Sequence, residues 1–307
     1  MPSSHRAPLV VTTPTGNTGR YVLETVLREH ETIRVLVRDP DRLDASVRAR
    51  CEVVQGDLRD PSDLSRALDG AEGVFFCVPQ SPDPDDVRAY YQSFAVPFAS
   101  AVKATGVRRV VAISGGDGAS SGQRGVGLAL HETEQTLEAT EVAARHIRCG
   151  YFLENLFWMI QPIARAGLFS LPVAGDVPIP FVAARDIGVA AGGLLLDRSW
   201  TGQEGIAAHG PERLSCDTAA QIASEVLGFP VRFQTVSGEA YKASIAPHGV
   251  SEALGQSLVE MFDAIAAGRD MGAPAPRRLD CPTTLAAWMG TGFGQAAARI
   301  RGEVTTR

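Results

Sequence analysis

Residues 10 to 20 read VVTTPTGNTGR, a close spacing of small and hydroxylated residues between an apolar run and a helical pattern. That placement suits phosphate binding, because backbone N–H groups at a helix start attract anions and glycines let a phosphate approach the chain. Gly16 and Gly19 hold two of the three glycine places of a dinucleotide loop, and Thr13 stands at the first. A residue before proline favours extended geometry, which a β-branched residue at a strand end accepts, so Thr13 is expected to be extended. Pro14 lacks an N–H, so donation to phosphate falls to Thr15, Gly16, Asn17, Thr18 and Gly19, helped by the two threonine hydroxyls. A strand-to-helix turn without a ligand is the competing reading.

Nineteen residues beyond Gly19, IRVLVRDPDRL ends a strand pattern with Arg38, where an NAD site carries Asp or Glu. A guanidinium there can fork onto a 2′-phosphate, which favours NADP(H), unless Arg38 is simply a solvated surface residue. In the GDL that follows the third run, Asp57 suits the adenine amino group and Leu58 the ring. Asp57 reads equally well as the cap of the next helix. Val78, Pro79 and Gln80, after the fourth run, are expected to approach the cofactor from the other side.

Candidates for chemistry come later in the chain. Ser114 ends VVAIS at the carboxyl edge of the expected sheet, where it is either a catalytic hydroxyl or a plain turn serine. The glycine-rich stretch 115–125 either closes over the nicotinamide or links two elements. His131, Glu134 and Glu138 share one helical face, and an imidazole there can shuttle protons near neutral pH. A solvated amphipathic stripe is the plainer alternative. In GYFLENLFW, Tyr151, Phe152, Phe157 and Trp158 suit a flat apolar pocket, with Glu154 and Asn155 fixing the loop; interdomain core is the alternative.

The elements that must position these residues follow from the apolar pattern. PLVVTT, TIRVLV, CEVVQ, GVFFCV, RRVVAIS and VAARHIRC are short and apolar without strict alternation, and helical patterns separate them. Strands buried on both faces and joined by helices give a Rossmann-type, doubly wound parallel α/β sheet. The expected nucleotide domain is 1–150, rejoined by a strand and helix at about 177–197. Residues 151–176 and 198–307, including the strand GIAAHG, form a smaller α+β substrate domain.

Composition narrows the classes. The 307 residues are 45% hydrophobic and 21% charged, with a formal net charge of −6. No Lys/Arg stripe is present to neutralise phosphates, which argues against a nucleic-acid partner. Five widely spaced cysteines without a CxxC pair fit reduced thiols in a cytoplasm, and no metal is expected. The N-terminus lacks a signal-peptide core and the longest apolar run is too short for a bilayer, so no membrane association is expected.

TPTGNTGR, VRDPDRL, GDLRDPSDLSRALDGAEGVFFCVPQ, HIRCGYFLENL, DVPIPFVAARDIGVAA and RRLDCPTTLAAWM together resemble the NmrA-like branch of the atypical short-chain dehydrogenases. That branch includes the type 2 quinone oxidoreductases. The resemblance implies NADP(H) in a Rossmann cleft and a C-terminal substrate domain, in a family holding both reductases and regulators without turnover. It also sets Ser114 at the serine position of the broader superfamily, and His131 near the catalytic lysine of isoflavone-reductase-like enzymes. The Tyr-x-x-x-Lys pair of standard members is absent, since Tyr90, Tyr91, Tyr151 and Tyr241 have no lysine four residues on.

Without that proton donor, a ketone is a poor substrate. Its reduction leaves an alkoxide of pKa about 16, whereas a quinone leaves a phenolate of about 10. The expectation is therefore an NADP(H)-dependent oxidoreductase acting on a quinone or a similar conjugated small molecule, in secondary metabolism for instance. The alternatives are a cofactor-binding sensor and a non-redox biosynthetic enzyme on the same scaffold. A homodimer or a regulatory protein partner is compatible with either.

Overall fold

Six apolar runs become parallel strands: β1 (Leu9–Thr12), β2 (Ile33–Val37), β3 (Glu52–Gln55), β4 (Gly73–Phe76), β5 (Arg109–Gly115) and β6 (Ala143–Cys149). Between them run α1 (Gly19–Glu29), α2 (Ala45–Arg48), α3 (Pro61–Leu68), α4 (Val87–Thr105) and α5 (Gly125–Glu138). The computed structural model describes residues 6–30, 32–116, 125–268 and 277–305. Side chains alternate across the sheet. Leu9, Val11, Phe75 and Val111 pack with Val22, Leu23 and Val26 of α1 in one core. Val10, Val74, Phe76 and Val110 pack with Leu64, Phe94, Phe98 and Leu137 in another. Burial on both faces is why β1 and β4 read as unbroken apolar runs.

The chain continues through β7 (Tyr151–Phe152), α6 (Ile160–Ala166), β8 (Leu168–Leu171), β9 (Pro178–Val182) and α7 (Ala184–Leu196). Ile187, Ala191 and Leu194 lay α7 on the first core beside α1. After it come β10 (Gln203–Ala208), β11 (Arg213–Ser215), α8 (Cys216–Leu227), β12 (Arg232–Thr235), α9 (Gly238–Ile245), α10 (Glu252–Ala266), α11 (Leu285–Trp288) and α12 (Gly294–Thr305).

Two strands fall on the opposite side of the expected boundary. β9, expected to rejoin the first domain with its helix, pairs instead with β7 and β11 in a separate three-stranded sheet. β10, expected in the smaller unit, runs parallel to β6 from Ala144 to Cys149 and becomes the seventh strand of the main sheet. The reason is packing: β6 would otherwise be an open edge, and Ile206 and Ala208 complete the first core beside Ile147 and Cys149.

The smaller unit has its own core around Tyr151, Phe181, Phe262, Leu285 and Phe293. It is tied across the carboxyl edge of the main sheet. The Ser251 backbone N–H donates to the Pro82 carbonyl at 2.8 Å and its hydroxyl to Pro84 O at 2.7 Å. No helix among the described residues is long and apolar enough to cross a membrane.

Candidate active site

Strand order in the main sheet is β10-β6-β5-β4-β1-β2-β3, so its direction turns between β4 and β1. Loops leaving the carboxyl ends of such a pair face each other across a crevice, the usual ligand place in an open α/β sheet. Thr12 ties the two ends together: its hydroxyl donates to Phe75 O at 2.9 Å and accepts from Cys77 N at 3.3 Å.

Thr13 is left-handed, with φ +49°, and not extended. The turn requires it, because Gly16 N donates to the Thr13 carbonyl at 3.0 Å and folds the chain back on itself. Thr13 thus performs the turn that a glycine makes freely, at a cost of about 1–2 kcal/mol. A Cβ on Gly19 would lie 2.1 Å from Thr13 O, so only glycine lets α1 begin this close to the strand end. The first turn of α1 carries no acid and Thr18 gives it no side-chain cap, which leaves its positive dipole end to an anion. Thr15 and Gly16 are half-buried there and Asn17 is exposed.

On the opposite wall Val78 is buried, Pro79 half-buried and Gln80 exposed. The Pro79 carbonyl accepts from the Tyr90 hydroxyl at 2.8 Å. Burial pushes the Cys77 thiol, beside Thr13, up to about 12, so it stays a neutral thiol.

At the β2–β3 end Arg38 is exposed, and its carbonyl accepts from Gln55 Nε2 at 3.3 Å. Asp57 does not cap α3. Asp60 does, accepting from Ser62 N and Asp63 N, because the cap must directly precede Pro61 at the first helical position. Asp57 is held instead by Arg59, with Nε to Oδ1 at 3.1 Å and Nη2 to Oδ2 at 2.9 Å. That guanidinium keeps its carboxyl below the usual range. Leu58 is buried in the second core and supports the loop from beneath.

At the β5 end Ser114 is buried and its Oγ has no hydrogen-bond partner among the described residues. Opposite it in register lies Arg148 of β6. The Arg148 guanidinium forks onto Glu134 of α5 at 3.1 and 2.8 Å. It also lies over Gly205 of β10, where a Cβ would meet Cζ at 2.2 Å. Glu134 is 2% exposed, so this part of the acidic face of α5 looks into the sheet, while Glu138, 3.7 Å from His146 Nε2, stays partly open to solvent. The cause is β6, whose His146 and Arg148 lie under the helix, and the Arg148 guanidinium draws the Glu134 carboxylate inward.

His131, one turn before Glu134, is half-buried with Nδ1 buried and unpartnered among the described residues. His146 is wholly buried, and desolvation holds it below its ordinary pKa. Buried polar atoms are nearly always paired, so the open Ser114 Oγ and His131 Nδ1 are places that a polar ligand group could complete. Most of the glycine-rich stretch expected to close over this end, 117–124, lies outside the described residues.

Tyr151, expected on a substrate wall, is 8% exposed and packs edge-on to Phe181 at 5.7 Å inside the smaller core. Phe152 is half-buried against the first core, and Asn155 is half-buried on the turn that follows. The open aromatics of this loop are Phe157 and Trp158, 43% and 50% exposed. Glu154 fixes the loop from within. Its Oε2 accepts from Ala184 N at 3.0 Å, at the start of α7, and its Oε1 from the Trp288 indole at 3.2 Å. Burial raises its carboxyl above the usual range.

Sequence reasoning did not single out Arg148 or Arg59. For Arg148 a signal existed: a guanidinium inside VAARHIRC must find a carboxylate on whatever covers the strand. His209, which follows β10 and is lowered to about 4 mainly by desolvation, carries no local signal in the sequence. Among the described residues no group of three or more His, Cys, Asp or Glu is placed to hold a metal ion.

A parallel sheet covered by helices on both faces, entered by a glycine turn that starts a helix, defines a Rossmann-type α/β fold. Within that class the chain belongs to the NmrA-like family, whose family model matches residues 6–288. It is 32% identical over 263 residues to a (4-alkanoyl-5-oxo-2,5-dihydrofuran-3-yl)methyl phosphate reductase of Streptomyces griseus, covering 81% of this chain and 85% of that one. It is 28% identical over 254 residues to an NAD(P)H azoreductase of Xenophilus azovorans, covering 83% and 86%. Its fold is similar to that of an Escherichia coli NADPH-dependent quinone oxidoreductase complexed with NADPH, at TM-score 0.76 and 21% identity, covering 95% and 99%.

Proposed function

We propose that the chain is an NADP(H)-dependent oxidoreductase that passes hydride to a quinone or a similarly flat conjugated compound. The observation that carries this is the β1–α1 junction, where Gly19 pressed against Thr13 brings an uncapped, acid-free helix start to the switch point of the sheet. Thr15 to Gly19 would hold the pyrophosphate and Arg38 the 2′-phosphate, with Val78, Pro79 and Gln80 on the facing wall. Asp57 would take the adenine amino group. Bound in this way, the nicotinamide supplies the hydride.

The chain's own residues then orient and protonate. Ser114 Oγ and His131 Nδ1 offer hydrogen bonds to the acceptor, and His131 holds a proton for the oxyanion that forms. Phe157 and Trp158, the exposed aromatics of their loop, would pack against a flat compound. The missing Tyr-x-x-x-Lys fits an acceptor whose product is a weakly basic phenolate, and it disfavours a simple ketone. The relatives' names, an azoreductase and a reductase of an oxo-dihydrofuran phosphate, support a conjugated acceptor.

The test is consumption of NADPH against quinones, azo dyes, conjugated carbonyls and aliphatic ketones. Turnover is expected with the first three classes and not with the ketones. Tight NADPH binding without turnover on any of them would favour a cofactor-binding regulator, the reading to which the absent Tyr-x-x-x-Lys pair also points.

A further inference from the structure

Arg59 is exposed between the buried Leu58 and the α3 cap Asp60, yet it is closely held. Its backbone N donates to Asp57 Oδ1 at 2.8 Å, its Nε to the same oxygen at 3.1 Å and its Nη2 to Oδ2 at 2.9 Å. Its guanidinium carbon lies 5.3 Å from the centroid of the Phe94 ring. Fixing a long exposed side chain costs rotamer freedom, and a surface ion pair returns little stability. Stability therefore does not account for the arrangement.

Its surroundings give it a role. β2 and β3 run side by side to their ends, with Val37 opposite Gln55, Gly56 N donating to Val37 O at 3.1 Å and Gln55 Nε2 to Arg38 O at 3.3 Å. Arg38 and Asp57 thus leave neighbouring strands at one edge, and the Asp57 carboxylate feels the Arg38 charge. Farther along the rim, Asp83, Asp85 and Asp86 line a cavity of about 380 Å³ with Tyr90, and Tyr90 itself feels both Arg59 and Arg38. A 2′-phosphate carries about two negative charges at neutral pH. Placed on Arg38, it would meet Asp57 on one side and the acidic rim on the other. If Asp57 were unpaired, it would cancel the attraction of Arg38.

We propose that Arg59 is a cofactor-selecting residue: by neutralising Asp57 beside Arg38, it keeps the adenosine end of the crevice cationic and favours a 2′-phosphorylated dinucleotide over one with a free 2′-hydroxyl. This rests on the reading of the chain as an NADP(H)-dependent oxidoreductase and adds a second arginine to the selection by Arg38. Arg59 acts through Asp57, so it is a positioning residue and takes no part in hydride transfer.

The test is fluorescence titration with NADPH and NADH of the wild type, Arg59→Ala, Arg59→Lys, Arg38→Asp and the double variant Asp57→Asn/Arg59→Ala. Arg59→Ala is expected to weaken NADPH about tenfold and leave NADH unchanged, as loss of one nearby charge would do. Arg59→Lys keeps most of the preference. The double variant regains the NADPH-to-NADH ratio, because the carboxylate charge that needed neutralising is gone, while the amide oxygen left by Asp57→Asn still accepts from the adenine amino group of either cofactor. An unchanged NADPH-to-NADH ratio in Arg59→Ala, or an equal loss for both cofactors, overturns the proposal. If Arg38→Asp abolishes the preference while Arg59→Ala keeps it, only the role of Arg59 fails. A wild type that binds neither cofactor overturns the parent reading as well.

Discussion

At the β1 end of the crevice an anion would be met by backbone: the Thr13 turn, the Gly19 contact and the open first turn of α1. At the β5 end side chains from three elements converge, with Ser114 on β5, Arg148 on β6, and His131 and Glu134 on α5. The first end is shaped by local chain geometry and the second by a buried ion pair that only the assembled fold creates. Damage to the first should therefore abolish binding while the fold survives, whereas damage to the second should first cost stability.

Gly19→Val tests the first half most severely. A Cβ 2.1 Å from the Thr13 carbonyl forces the loop open, and NADPH affinity in calorimetric titration is expected to fall by more than about a hundredfold. Unchanged affinity would move the phosphate site elsewhere. Glu134→Ala tests the other half. Removing the carboxylate that answers a largely buried guanidinium should cost about 3 kcal/mol in denaturant unfolding. Glu134→Ala/Arg148→Met should recover most of that loss, and NADPH affinity should change little in either variant. A strong loss of affinity in Glu134→Ala with normal stability would blur the division between the two ends.

The β6–β10 side also sets a pH dependence. His146 and His209 are both held below their ordinary 6.5 by desolvation, His209 to about 4. Between those values the unfolded chain takes up protons that the folded chain refuses. Stability is therefore full above about pH 6.5 and is lost as pH falls toward about 4. Urea midpoints should fall across that window, and less so in His146→Phe. A profile unchanged by His146→Phe would remove His146 from the cause. The smallest effect is at Thr13. Replacing it with glycine relieves a left-handed β-branched residue and should raise stability by about 1 kcal/mol, with NADPH binding retained. A loss of stability would mean that the threonine side chain contributes more than the strain costs.

Legibility in the sequence followed the same division. Glycine and proline punctuation and unbroken apolar runs announce a parallel sheet and a phosphate turn, because the signal lies within a dozen consecutive residues. Even there Thr13 departs from the extended geometry its sequence favours, since the contacts that fold the turn back outweigh the local preference of a residue before proline. The place of β10 is not legible, because pairing with a strand 59 residues earlier leaves no mark in a run as short as GIAAHG. The inward turn of α5 was hidden for a related reason. His131, Glu134 and Glu138 read as a solvated stripe; Glu138 does stay partly exposed, but Arg148 of β6 draws Glu134 inside.

The central claim, hydride transfer to a conjugated acceptor at a site without a tyrosine–lysine pair, is tested most directly with NADPH deuterated separately at each face of nicotinamide C4. Quinone-dependent NADPH oxidation is expected to show a primary isotope effect for one face only, and to slow in His131→Ala. NADPH that binds tightly but is not consumed with any quinone, azo dye or conjugated carbonyl would contradict it.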